Sequence, residues 1–543
     1  SRSFEVTRVK VDGATEVGED DPAHERWHGK GEPDWPAWVQ GFRDVQVHAV
    51  EQILDAYARG VEVVLLDAPT GTGKTLIAEM VRRALKVDGV YICTTKSLQE
   101  QMLRDFKYAR VLKGRGNYAT ELFRSYSCAD CGGAKCHWCT SRESCPYQIA
   151  KEGAAAAKIA VLNTAYLLAE ANGAKSTFGK NQFVIADECD VLEDALMGYV
   201  EFRVGEKQAR ELGVTLPVKS ARVKTVKAWL EKDLPDAIKA ARSGIVGDGV
   251  EEIRERMKLA RLLAACTRVA RSMGDEEWED WVREYEEDRD TFILKPVMVD
   301  REAPKLLWSH GERWLCMSAS IGSPEVFVEG LGLEEAGLSW EVVSVPMGFA
   351  KENRLIEYRP VADLSYSAMN DQVPKAIAGL KEILDSNREE NILVHTVSYG
   401  LTKWVERELK GARELHGRRL WSYANGRERE ATMTKFRKLG GVICAPSMDR
   451  GVDLADELCR VNVVLKCPFP GLKARQTSER MRRDGGQLWY ANKVAGNLVQ
   501  MTGRATRNET DWSRSYILDQ NFGVWLAQWG NALLPAWWLE ALV

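Results

Sequence analysis

One octapeptide constrains this chain more than any other feature: Ala68-Pro69-Thr70-Gly71-Thr72-Gly73-Lys74-Thr75. A short apolar run, residues 61–67, precedes it, and a stretch with helical periodicity, residues 76–85, follows. Strand, glycine-rich turn, then helix is the context in which such a turn becomes a phosphate cradle. Gly71 and Gly73 let the backbone curl so that its N–H groups point inward, and the helix N-terminus adds partial positive charge. Thr70 and Thr72 complete the loop. Lys74 then reaches the β- and γ-phosphates of ATP, and the Thr75 hydroxyl is a Mg²⁺ ligand. Ala68 stands where the general pattern has glycine.

A phosphate loop of this kind needs a carboxylate for the metal and a base for water. Val184-Ile185-Ala186-Asp187-Glu188-Cys189-Asp190 supplies both at the end of an apolar strand. Asp187 is the expected Mg²⁺ ligand and Glu188 the expected water-activating base. A third element lies more than 400 residues on: Gln500-Met501-Thr502-Gly503-Arg504-Ala505-Thr506-Arg507. Arg504 and Arg507, at i and i+3, fall on one face if the segment is helical. They can meet the γ-phosphate as arginine fingers across a cleft, with Gln500 beside them. The separation in sequence predicts a site assembled between two domains.

The rest of the text fits that plan. Further strands are expected at residues 90–94, 159–162, 183–186 and 314–317. A second alternating unit carries 392–395, 441–445, 461–465 and 515–518. Strands alternating with helices predict parallel sheets and an α/β fold. Residues 200–290 are charged, helical in pattern and almost strand-free, so they read as a helical insertion. With 75 basic and 79 acidic side chains the net charge is −4. The imbalance sits in residues 1–35, a polar arm with five basic and nine acidic groups; beyond it the charges balance at 70 each. A nucleic-acid partner therefore needs local basic grooves, not a global field. No apolar run reaches the ~18–20 residues of a membrane span. No signal-peptide pattern opens the sequence, so an intracellular place, cytoplasmic or nucleoid-associated, is expected.

Five of the twelve cysteines crowd into Cys128-x2-Cys131-x4-Cys136-x2-Cys139-x5-Cys145. That density in a large chain reads as metal binding before disulfides. A [4Fe–4S] cluster takes four thiolates, so one of the five is spare. Zn²⁺ is the alternative, since it also accepts four thiolates, although a four-residue middle spacer is short for a zinc ribbon.

Taken together, the three nucleotide motifs resemble those of superfamily 2 helicases. Phe42-Arg43 and Gln46 are similar to the adenine-contacting segment of that superfamily, which implies cofactor contacts for Arg43 and Gln46. Residues 94–101 resemble motif Ia, Ser318-Ala319-Ser320 motif III, residues 393–399 motif IV, and residues 448–453 motif V, which implies a nucleotide contact for Asp453. Lys113-Gly114-Arg115-Gly116-Asn117-Tyr118 before the cysteines, and Cys145-Pro146-Tyr147 closing them, resemble the XPD/DinG family of iron–sulfur helicases. Two departures stand out. The family's DEAH is here Asp187-Glu188-Cys189-Asp190, and no thiol follows Asn117-Tyr118.

The resemblance implies two RecA-like parallel-sheet domains, with a cysteine-rich metal module and a helical arch inserted in the first. The expected boundaries are an N-terminal arm at 1–35 and helicase domain 1 at 36–112, 151–199 and 296–340. The metal module would span 113–150, the arch 200–295 and helicase domain 2 residues 341–543. It further implies a monomer that hydrolyses ATP with Mg²⁺, moves 5′→3′ on single-stranded DNA and opens forked duplexes; the alternative is a nucleic-acid-stimulated ATPase that translocates or remodels complexes without separating strands. Expected backbone contacts are Lys96, Arg115 and the run Lys473, Arg475, Arg480, Arg482 and Arg483. Tyr118, Tyr166 and Tyr399 are the candidate stacking or wedge residues.

Overall fold

The structure is a computed structural model and describes residues 32–131, 138–173, 175–218, 220–273, 278, 280–286, 290–319, 321–446, 458–503 and 511–543. The chain lays down β1 (Val63–Asp67), β2 (Gly89–Cys93), β3 (Arg110–Leu112), β4 (Ile159–Asn163) and β5 (Asn181–Asp187). A long excursion then carries β6 (Phe202–Gly205), β7 (Trp281–Glu286) and β8 (Thr291–Pro296). The chain returns as β9 (Gly311–Ser318) and β10 (Trp340–Ser344).

The first sheet has the order β10-β1-β9-β5-β2-β4-β3, and every pairing is parallel. Its strands are apolar on both faces because helices cover both. In β1, Val63 and Leu65 enter one core, while Val64 and Leu66 enter the other. Such two-sided burial is what a parallel sheet requires. The phosphate loop leaves the carboxyl end of β1, and Asp187 ends β5. Only β9 separates those strands, so the two motifs stand roughly 10 Å apart at the same sheet edge.

A second RecA-like sheet follows: β11 (Arg354–Ala362), β12 (Ile392–His395), β13 (Leu420–Ser422), β14 (Val442–Ala445), β15 (Val461–Val464) and β16 (Ser513–Asp519). Its order is β11-β16-β15-β12-β14-β13, again all parallel.

Three sequence expectations change. Residues 200–290 are not almost strand-free: they hold β6 and β7, which flank β8, just beyond, in a three-stranded antiparallel sheet beside the long helix Val250–Ser272. Strand β10 pairs with β1, so the first sheet runs past the expected limit at residue 340. The end of the polar arm is docked: Trp35 is buried and packs edge-on against Phe42, and Glu32 ion-pairs with Arg82 of the helix Lys74–Leu85. Among the described residues, no helix is long and apolar enough to cross a membrane.

Candidate nucleotide site and nucleic-acid face

Gly71 and Gly73 hold φ of +86° and +82°, a region L side chains avoid. Two neighbours grip the loop they shape. Gln46 Nε2 donates to the Thr72 carbonyl at 2.9 Å, and Arg43 Nη1 donates to the Gly71 carbonyl at 3.0 Å. Gln46 Oε1 in turn accepts from the Arg43 N–H, so both sit on one rigid helix start. A Cβ on Gly73 would stand 2.5 Å from Gln46 Nε2 and would push that amide off the Thr72 carbonyl. Lys74 Nζ donates to the carbonyls of Ala68 and Pro69, at 3.0 and 3.3 Å. Burial lowers its pKa, and Asp187, Glu188, Asp67 and Asp190 pull it back up.

The acid pair faces this loop. Burial raises the Asp187 carboxyl above its usual range, while Lys74 and a hydrogen bond from Tyr91 oppose that rise. The Tyr91 hydroxyl, fully buried on β2, contacts both Asp187 Oδ2 and the Thr75 hydroxyl. It therefore draws together the two residues expected to ligate Mg²⁺, and their oxygen chemistry fits that ion. Glu188 adopts φ +50°, a left-handed turn immediately after the strand, and starts the short 3₁₀ turn Cys189–Val191. Asp190, in place of the family's histidine, accepts from Ser318 Oγ at 3.0 Å. The acid motif is thus tied to the end of β9. Tyr91 carries no signal in the sequence beyond an aromatic in an apolar strand.

Across the cleft, Gln500 lies half-buried near the end of the helix Gly486–Thr502. Thr70 of the phosphate loop lines one cavity with Thr502, Gly503, Arg354 and Ser513 of the second half. The amino ends of β11 and β16 therefore meet the carboxyl end of β1. Trp538, wholly buried, donates to Thr502 Oγ1 at 2.7 Å and braces this corner. Arg504, Arg507 and Asp453 lie outside the described residues, as does Ser320 of the Ser318–Ser320 motif.

Four of the five clustered thiols are described and all four are buried: Cys128, Cys131, Cys139 and Cys145. Cys128 Sγ lies 4.0 Å from Cys145 Sγ, and Cys131 Sγ donates to the Cys128 carbonyl at 3.2 Å. Burial, reinforced by Cys145 and Cys131, pushes the Cys128 thiol up to about 12. A buried thiolate without a cation is unfavourable there, and a thiolate-ligated metal group would supply the missing positive charge. The donor chemistry fits either metal. Among the described residues no three ligand side chains already surround an ion-sized point. Cys136 lies outside them.

Beside this module, several nucleic-acid candidates form one cluster. Lys96 Nζ donates to Asn117 Oδ1 at 3.3 Å, and the Arg115 guanidinium stands 4.6 Å from the Tyr147 ring. Tyr147 and Tyr166 join hydroxyls at 2.6 Å, and Tyr118 packs edge-on against Tyr147. Tyr118 and Tyr166 are partly buried against the core. The second cluster sits at the carboxyl edge of the second sheet, opposite the Thr70 cavity. Tyr399 follows β12 and is 40% exposed; Lys473 lies 4.5 Å from the ring of Tyr366, which follows β11 and is 78% exposed. The strand order puts Tyr366 and Tyr399 three strand spacings apart, roughly 14 Å. Tyr366 was invisible in the sequence because it sits in no motif. Arg475 is half-exposed, with Glu479 at 4.0 Å. Arg480 is not a surface contact: it is 2% exposed and ion-paired with Glu193. Arg482 pairs with Glu479 and Arg483 with Asp280, so most of the basic run faces the protein's own acids.

Two family models match. "Helicase C-terminal domain" covers residues 380–540, and "Type III restriction enzyme, res subunit" covers residues 40–195. A probable ATP-dependent helicase of Methanocaldococcus jannaschii is 24% identical over 260 residues, 44% of this chain and 39% of its own length. An ATP-dependent DNA helicase of Caenorhabditis elegans is 29% identical over 93 residues, 16% of this chain and 11% of its own. The chain thus spans well under two thirds of these relatives. Among solved structures, an XPD helicase aligns at TM-score 0.62 and 16% identity, over 91% of this chain and 99% of that one. The S. tokodaii Xpd4 structure aligns at 0.56 and 14%, over 92% and 98%. The whole chain thus has the XPD-like fold, and the two family models fall on its two sheets.

Proposed function

We propose that the chain is an ATP-driven translocase that moves 5′→3′ along single-stranded DNA and opens forked duplexes, acting as a monomer inside the cell. The observation that carries this reading is the cavity shared by Thr70 of the phosphate loop and Thr502-Gly503 of the second half. Motifs from two sheets converge there, so a change at the triphosphate is felt by both lobes. Arg43 and Gln46 hold the loop and the adenine. Lys74 binds the outer phosphates, Thr75 and Asp187 hold Mg²⁺, and Glu188 aims water. Gln500, Arg504, Arg507 and Asp453, all from the second half of the sequence, supply the remaining contacts to the nucleotide. The metal, when bound, neutralises charge on the phosphates.

The track runs past Lys96 and Arg115 on the first lobe and past Tyr399, Lys473 and Arg475 on the second, with Tyr118 and Tyr166 as the wedge beside the cysteine module. Backbone phosphates take the cations, and bases stack on exposed rings. Four of Cys128, Cys131, Cys136, Cys139 and Cys145 hold a [4Fe–4S] cluster, with zinc the alternative. Bound there, the group staples a loop-rich module that has little core of its own.

ATP turnover measured with single-stranded DNA, single-stranded RNA and duplex as separate stimulants tests the reading. Strand displacement on forks with 5′ or 3′ tails tests unwinding and polarity. Lys74→Ala should abolish stimulated turnover with the fold intact. Arg507→Ala should retain nucleotide and lose hydrolysis by about 10³-fold. Normal turnover in Lys74→Ala would remove the site.

A further inference from the structure

Asp187 and Glu188 do not end in a free loop. After the turn Cys189–Val191 the chain enters the helix Leu192–Val200, whose second residue is Glu193. This carboxylate is the centre of a contact between the two lobes. It ion-pairs with Arg480 and accepts from Trp489 Nε1 at 3.3 Å, while Lys493 Nζ stands 3.9 Å away. Arg480 lies on the helix Arg475–Arg482, and its guanidinium covers the Trp489 ring at 4.7 Å. Lys493 also bonds both oxygens of Asp194, at 3.0 Å each. A step further on, Asn492 Oδ1 accepts from the Ser323 N–H at 2.9 Å, just past the end of β9.

The placement of these partners matters. Trp489, Asn492, Lys493, Gly496 and Gln500 stand at i, i+3, i+4, i+7 and i+11 of the single helix Gly486–Thr502, and so share one face. A straight helix spans roughly 16 Å between Trp489 and Gln500. One end of this rod therefore grips Glu193, five residues past Glu188. Its other end carries Gln500 and leads to the corner that faces Thr70. Both sides of the contact are rigidly joined to residues assigned to the triphosphate.

Ordinary surface ion pairs cannot do this, because screening and side-chain freedom make them weak. Glu193 and Arg480 are different, with side chains 12% and 3% exposed. Removing one charge strands the other in a dry contact. We propose that Glu193 is a positioning residue: with Arg480, Trp489 and Lys493 it forms an interlobe latch that sets the register between the acid motif and the helix bearing Gln500. Its engagement couples hydrolysis to lobe movement. The proposal deepens the translocase reading and rests on it for the turnover arm of the test.

Three proteins decide it: Glu193→Gln, Lys493→Ala and the charge-conserving Glu193→Asp. Small-angle scattering without nucleotide reads lobe spacing and needs no turnover. Glu193→Gln should enlarge the radius of gyration and lower DNA-stimulated kcat about tenfold, with affinity for a non-hydrolysable ATP analogue unchanged. Glu193→Asp, which keeps the carboxylate, should suffer much smaller losses of both. Lys493→Ala, which removes a part-exposed pair, should fold even if Glu193→Gln does not, and should lower kcat about threefold. Unchanged spacing and kcat in the folded Glu193→Gln and Lys493→Ala would overturn the latch, as would a kcat loss that only tracks lost nucleotide affinity or that is as large in Glu193→Asp as in Glu193→Gln. If wild-type protein hydrolysed no ATP, the translocase reading would fall, while the scattering arm would still decide whether the latch exists.

Discussion

Gly73→Ala tests the phosphate cradle in two separable parts. The residue holds φ +82° and ψ 39°, so alanine there incurs the left-handed cost of roughly 1–2 kcal/mol. The new Cβ also meets Gln46 Nε2. That atom is the far end of a flexible side chain, so the clash itself is cheap. Relieving it, however, gives up the 2.9 Å bond to the Thr72 carbonyl, worth about 1 kcal/mol. Backbone strain is the larger of the two costs, and together they come to about 2–3 kcal/mol. If the loop keeps its shape, the loss appears in stability. If it relaxes, the loss appears as roughly 30- to 150-fold weaker nucleotide binding. Denaturant unfolding and calorimetric titration with ATP together capture the whole. Adding Gln46→Ala should cost less than its effect alone, because the clash is already gone. Stability and affinity both within about 0.5 kcal/mol of wild type would refute the reasoning, since the strain must appear in one or the other.

Tyr91→Phe removes the hydroxyl that joins Asp187 to Thr75 and should raise the Mg²⁺ needed for half-maximal turnover about tenfold; an unchanged Mg²⁺ titration would leave Tyr91 as packing only. Burial, with Asp300 and Asp280 nearby, holds Glu302 up to about 7 against an ordinary 4.5. Its folded value exceeds its unfolded one, so its contribution is complete below pH 4.5 and is lost as pH rises through 7. Glu302→Gln should flatten that decline and gain up to about 3 kcal/mol at pH 8, read from denaturant midpoints at pH 5 and 8; parallel pH curves would contradict it. Cys145→Ser should strip the module of its metal, either iron and sulfide in equal amounts or zinc, while Cys266→Ser, in the helix Val250–Ser272, should not. Equal metal content in both variants would remove Cys145 from the ligand set.

The sequence was most legible where chemistry demanded particular residues at strand ends. The loop 68–75 and Asp187-Glu188 announce themselves because glycine, lysine and paired acids have few other uses after an apolar strand. Strand β10, Trp-Glu-Val-Val-Ser, is an edge strand and only half-buried, so it lacks the continuous apolar run that marks β1 or β5. Strand β6 alternates buried Phe202 and Val204 with exposed Arg203. In so charged a region that short period-2 signal is swamped by helical spacing. Pairings such as Glu193 with Arg480, or Ser318 with Asp190, join residues far apart in sequence. Nothing local marks them, and the basic run at 473–483 read as a nucleic-acid surface because Glu193 and Asp280, the partners of Arg480 and Arg483, lie elsewhere in the chain.

Strands β5 and β9 are hydrogen-bonded neighbours, yet the chain leaves the carboxyl end of one and re-enters at the amino end of the other. A tug on residues 188–310 therefore pulls the two strands lengthwise in opposite directions. In that shearing geometry the rungs between Asn181–Asp187 and Gly311–Met317 share the load together instead of peeling apart singly. The excursion can serve as a lever without tearing the sheet on which Asp187 is mounted.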